Sequence, residues 1–161
     1  MKLWQGLFAM IWIAFLEFLI VMSTHVAAFG GVADPLIYIH SALGFAMILL
    51  ALNNYNGVRN TTIAGRVKRT AQSTFQLSIL MAVLGVILLF KGYLTWEIPV
   101  VNLSLFYVLL FVHVVNAFAI ITQAAAVAIA YDMWEDKEFD QVTTAGEVPP
   151  MPTPAKAASK P

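Results

Sequence analysis

Four apolar runs, about Leu7–Val26, Leu36–Leu52, Ala71–Phe90 and Val101–Ala130, restrict what this chain can fold into more than any other feature. Each reaches the roughly 17–25 residues that a helix needs to cross the hydrocarbon core of a bilayer. In lipid, every backbone N–H and C=O must find its partner within the protein, which leaves helices and closed barrels. None of the runs alternates as a strand does, so all four predict helices. Composition agrees: of 161 residues, 60% are hydrophobic and 11% charged. An ordinary soluble domain has roughly 45–50% apolar residues.

The first run, with one lysine before it and "STHVAAFGG" after it, has the outline of a secretory signal. It is too long for a signal core and carries Glu17 in its middle, so it is expected to stay as a membrane helix. Turn chemistry separates the runs: "GGVADP", then "NNYNGVRNTTIAG", then "KGYLTWEIP". Asp34-Pro35 marks the start of the second helix, because proline is tolerated in a first turn.

The basic residues set an orientation. Arg59, Arg66, Lys68 and Arg69 crowd the middle loop and Lys2 stands at the N-terminus, whereas the other two loops share only Lys91. By the positive-inside rule, both termini and the middle loop face the cytoplasm of a multi-pass protein of the cell membrane. Trp4, Tyr93, Trp96, Tyr131 and Trp134 fall near helix ends, where an aromatic belt belongs. Residues 1–140 form the four-helix domain, with "YDMWEDKEFD" extending the last helix by a charged turn or two. Residues 141–161, small, polar and proline-rich, read as a flexible tail.

Net charge is zero, which gives no reason to expect nucleic-acid binding, and there is no cysteine. Disulfides, thiolate-held clusters and thioether-linked haem are thereby excluded. Any metal or cofactor has to rest on histidine, methionine or carboxylate.

"IHSALGFAMI" from Ile39 and "VHVVNAFAII" from Val112 superimpose. His40 falls on His113, Phe45 on Phe118, and a small residue, Gly44 or Ala117, follows each histidine by four places. "EFLIVM" from Glu17 and "QLSILM" from Gln76 align as well. The expected fold is thus an all-α, integral-membrane four-helix bundle built from two repeated helix pairs. With helix two ending near Asn56 and helix four near Tyr131, each histidine lies about 24–27 Å from the cytoplasmic end. Both then sit at one height in the outer half of the bilayer.

Two neutral imidazoles at one depth suit the two axial positions of a b-type haem (heme b), which needs no covalent tether. The flat macrocycle requires small residues one turn from each ligand, as Gly44 and Ala117 are. Phe45, Phe118, Met47 and Phe111 are candidates for apolar walls. His25, Thr24, Tyr38, Lys91 and Trp96 are candidates for company to the propionates. The alternative is that the histidines serve as interhelical hydrogen-bonding groups. Zinc or copper would lack further ligands at that depth. Glu17 is either a proton-relay or quinone-site carboxyl or a protonated partner of Gln76 or Gln72. Asn116 and Gln123 read as helix–helix glue.

Taken together, "HSALG" and "HVVNA" near the outer ends of helices two and four, and "FQLSILMAVLGVI" in helix three, resemble one four-helix half of the haem A synthase family, of which compact archaeal forms exist. The resemblance covers about Leu7 to Tyr131 and implies His40 and His113 as haem-iron ligands. Members that hydroxylate haem O usually carry a glutamate three places before the second-helix histidine and an arginine directly after it. Here Ile37 and Ser41 stand there, and the outer-loop cysteine pair of some members is missing.

The expected function is therefore electron transfer by a membrane b-type haem protein, working as a subunit of a respiratory or terminal-oxidase complex. Its partners would be a quinone or neighbouring redox subunits in the bilayer, in a homo-oligomer or hetero-complex. An enzymatic alternative is a divergent haem A synthase or other quinone-linked oxidoreductase. A structural one is a haem-free accessory subunit.

Overall fold

The computed structural model describes residues 2–28, 34–90, 94, 96–98 and 103–146, with the side chains of 22–28, 34, 98, 103 and 139–146 excepted. Four helices make up nearly all of it: α1 (Leu3–Ala28), α2 (Asp34–Arg59), α3 (Gly65–Leu89) and α4 (Leu105–Gly146). All four are long and apolar enough to cross a membrane, over Leu3–Val21, Pro35–Arg59, Gly65–Leu89 and Leu105–Glu138. Successive helices pack on each other and α4 closes onto α1, so α1 faces α3, and α2 faces α4, across the centre.

Each helix turns one stripe inward, spaced alternately by three and four residues, the spacing that keeps a seam facing its neighbours in a bundle. On α1 the stripe is Leu3, Leu7, Met10, Ala14 and Glu17. On α2 it is His40, Gly44, Met47, Ala51, Asn54 and Val58. On α3, Ala71, Thr74, Ser78, Met81 and Gly85 take these places, and on α4, His113, Ala117, Ile120, Ala124, Val127 and Tyr131. Burial is nearly complete along the middle and inner parts of the stripes and partial at Glu17, His40, Gly85 and His113.

The interior is made of small and polar side chains as much as of large ones. Ala14, Ala51, Ala71, Ala124, Ala128, Thr74 and Ser78 are buried, whereas Trp12, Phe15, Leu49, Val86 and Ile129 are at least half exposed. A water-soluble bundle would invert that arrangement. Close backbone approach at small residues is how helices associate when the solvent is itself apolar.

Three sequence expectations change. α2 does not end near Asn56 but runs on through the rest of "NNYNGVR" to Arg59. Asn54 is buried there and donates to the Gly6 carbonyl of α1 at 3.0 Å. Gly57 lets Leu3 approach so closely that a Cβ would fall 2.5 Å from its Cδ1. The turn proper is Asn60–Ala64, where the Lys68 ammonium donates to the Arg59 and Thr61 carbonyls and so caps α2.

Secondly, α4 starts at Leu105 rather than Val101. Ahead of it, Glu97–Ile98 pairs antiparallel with Leu103–Ser104, a minimal ribbon that the all-α expectation lacked. At its other end α4 continues past Tyr131 through Gly146, six residues beyond position 140. Thirdly, Tyr131 belongs to the core rather than to an aromatic belt: it is buried with Leu7, Val58, Ile63 and Val127. Tyr93 and residues 147–161 lie outside the described residues.

Candidate functional site

The polar end of all four stripes falls in one layer, where α1 contributes Glu17, α2 His40, α3 Gly85 and α4 His113. The two imidazoles enter from diagonally opposed helices, with ring centroids 6.3 Å apart and ring planes at 64°. Glu17 Oε2 lies 2.9 Å from His40 Nδ1, the separation of a charge-assisted contact. The carboxylate comes in off the line of the ring N–H, so this is a close polar contact rather than an aligned hydrogen bond, and an ion pair only when the imidazole is protonated. Side-chain exposure is 29% for His40 and 14% for Glu17, which sets the pair in a setting of low dielectric.

Two glycines shape the layer. Gly44, one turn after His40, sits where an added Cβ would touch Glu17 Oε1 at 3.6 Å. Gly85 performs the same service for His113, whose Cε1 would lie 3.4 Å from a Cβ at that position. Glu17 Oε1 and His113 Nδ1 are both buried without a hydrogen-bond partner among the described residues. Such atoms are uncommon in folded proteins and point to a function or to a further bonded group.

Other sequence candidates fall elsewhere. Ala117 lies on the inward stripe of α4, half-buried. Phe45 is 63% exposed and Phe118 54% exposed, both on the outside of the bundle; Phe118 meets Phe18 of α1 at 6.2 Å. Phe111 is also exposed, and Met47 is buried in the core beneath the layer, packed near Met10 and Ile120. Tyr38 and Trp96 are exposed, as polar company at an outer surface would be. The side chains of Thr24 and His25, and Lys91, lie outside the described residues.

For Glu17, the structure sets aside one of the two expectations, a glutamine partner. Neither glutamine is its partner, since Gln72 and Gln76 both face outward. The alignment of Glu17 with Gln76 thus joins an inward residue to an outward one, while His40 and His113 both face the centre. Asn116 does act as glue, donating to the Leu77 carbonyl at 3.0 Å and lying 3.6 Å from Met81 Sδ. Asn54 repeats the device against Gly6 and Met10, at the other end of the bundle. Gln123 Oε1 is within 3.2 Å of the Thr74 hydroxyl. The signal that would have paired Glu17 correctly is the three-four stripe: Met10, Ala14 and Glu17 share one face, as do His40, Gly44 and Met47.

Among the described residues no three histidine, aspartate or glutamate side chains group as they would around a bare metal ion. The layer instead offers two opposed imidazoles and one supporting carboxylate. Compared with family models, with curated proteins and with solved structures, the chain gives no match.

Proposed function

We propose that this chain is an integral-membrane b-type haem protein of electron transfer, with His40 and His113 as the axial ligands. One observation carries the reading: the two ring centroids stand 6.3 Å apart across the bundle centre. An iron held between two imidazole nitrogens at roughly 2 Å each puts the centroids at about that distance. Gly85 beside His113 and Gly44 beside Glu17 put no side chain against that ring or that carboxylate. The proposed orientation has both termini and the α2–α3 turn in the cytoplasm, which puts the histidine layer toward the outer face of the cell membrane.

A haem would supply one-electron exchange, its potential set by ligand identity and burial. The protein's own part is to fix two neutral imidazoles, exclude water with apolar helices, and place a carboxylate behind one ligand. A quinone or a neighbouring membrane redox subunit is the proposed partner. The likeness to a haem A synthase half supports the carrier more than the enzyme. Ile37 and Ser41, at the positions where hydroxylating members carry glutamate and arginine, are exposed on α2, and the Ser41 hydroxyl is spent on the Ile37 carbonyl at 2.9 Å.

The test is an absorption spectrum of the detergent-solubilised chain expressed with haem supplied. A low-spin haem b difference spectrum, lost in His40→Ala and in His113→Ala while helix content is kept, is the expected result. Colourless wild-type protein overturns the proposal.

A further inference from the structure

Resting on the haem reading, we infer that Glu17 is the positioning residue of His40, and that it makes the two axial histidines unequal. A carboxyl in the apolar middle of a helix is costly to bury and stays only where it has a task. Here it reaches from α1 to α2 and ends 2.9 Å from the His40 Nδ1. The facing helix is small at that point: a Cβ at position 44 would stand 3.6 Å from Glu17 Oε1, in ordinary contact.

Among the described residues no carboxylate makes such a contact with His113 Nδ1. Its neighbour on α3 is Gly85, and its Nδ1 is buried without a partner among the described residues. Gln76, the residue that aligns with Glu17, is on the outer face. The carboxylate is thus in contact with one imidazole, while the other feels its charge only from farther off.

A carboxylate in contact with Nδ1 favours the proton on that nitrogen, which leaves Nε2 free, restrains the rotation of the ring and raises its donor strength. Negative charge beside the ligand favours the ferric state, which carries the extra positive charge, over the ferrous state. Loss of such an outer partner typically weakens metal binding 10–100-fold. A tenfold loss confined to the ferric form raises a one-electron midpoint potential by about 59 mV.

The experiment titrates haemin into detergent-solubilised apo-protein for wild type, Glu17→Gln, Glu17→Ala and Glu17→Asp. It then measures the midpoint potential and ferric electron paramagnetic resonance of each loaded form. Weaker ferric binding by 10-fold or more, a raised potential and altered g-values in Glu17→Gln and Glu17→Ala, with partial recovery in Glu17→Asp, are expected. The g-values report ligand orientation and would not respond to a merely looser bundle. Should Glu17→Gln not fold, Glu17→Asp alone decides, since a shortened carboxylate must still shift potential and g-values. Variants that match wild type in all three overturn the role of Glu17 and leave the haem reading standing. Wild type that takes up no haem overturns both.

Discussion

His40 and His113 reach the bundle centre from helices on opposite corners, with ring centroids 6.3 Å apart and ring planes at 64°. α2 and α4 each pack chiefly on α1 and α3, which flank them. The spacing is a property of all four helices packed together. A ligand exchange at one side should therefore leave the other in place.

Methionine in place of His113 tests this. Its thioether keeps an axial donor but replaces nitrogen with sulfur, and His/Met ligation raises the potential of a haem. His113→Met is expected to retain haem and to show a higher midpoint potential in a spectroelectrochemical titration. A potential equal to wild type would count against His113 as a ligand.

Topology is directly measurable, because the chain has no cysteine and each one introduced is a unique label. Thr62 in the α2–α3 turn and Glu97 beyond α3 are both exposed. An impermeant maleimide is expected to label Thr62→Cys only in inside-out vesicles and Glu97→Cys only in right-side-out ones. The opposite pattern reverses the orientation; labelling of both from one side removes the four-span reading.

Buried polar side chains at the two ends of the bundle differ in what they hold. Asn54 binds α2 to α1 through the Gly6 carbonyl, whereas the Ser78 hydroxyl only returns to the Thr74 carbonyl of its own helix. Interhelical polar bonds in membranes average about 0.6 kcal/mol and reach about 1.7 kcal/mol. Asn54→Ala is expected to lower stability by about 1 kcal/mol or more in a detergent unfolding titration, and Ser78→Ala by much less. Equal losses would show that the Asn54 amide contributes nothing between helices.

Much of the fold was legible because the elements are long and apolar. The existence and number of helices follow from hydropathy, and the two histidines with their small followers were found from a short repeat. Helix ends were harder to read. "NNYNGVR" has turn composition, yet α2 passes through it, because the Asn54 amide N–H donates to the Gly6 carbonyl and Leu3 occupies the place that Gly57 leaves. Neither partner is near in sequence. Phe45 and Phe118 share a place in the repeat with the histidines but not a face of the helix, so they point outward.

The sequence alone determined that the backbone must satisfy itself in helices, since runs of this length without alternation leave apolar surroundings no other solution. It also determined that two imidazoles lie at similar distances along α2 and α4. Only the tertiary structure decided that they meet, that Gly85 borders one, and that Glu17 rather than a glutamine backs the other. Those relations depend on the rotation and offset of four helices about one axis, and these are set by side-chain packing between residues far apart in the chain.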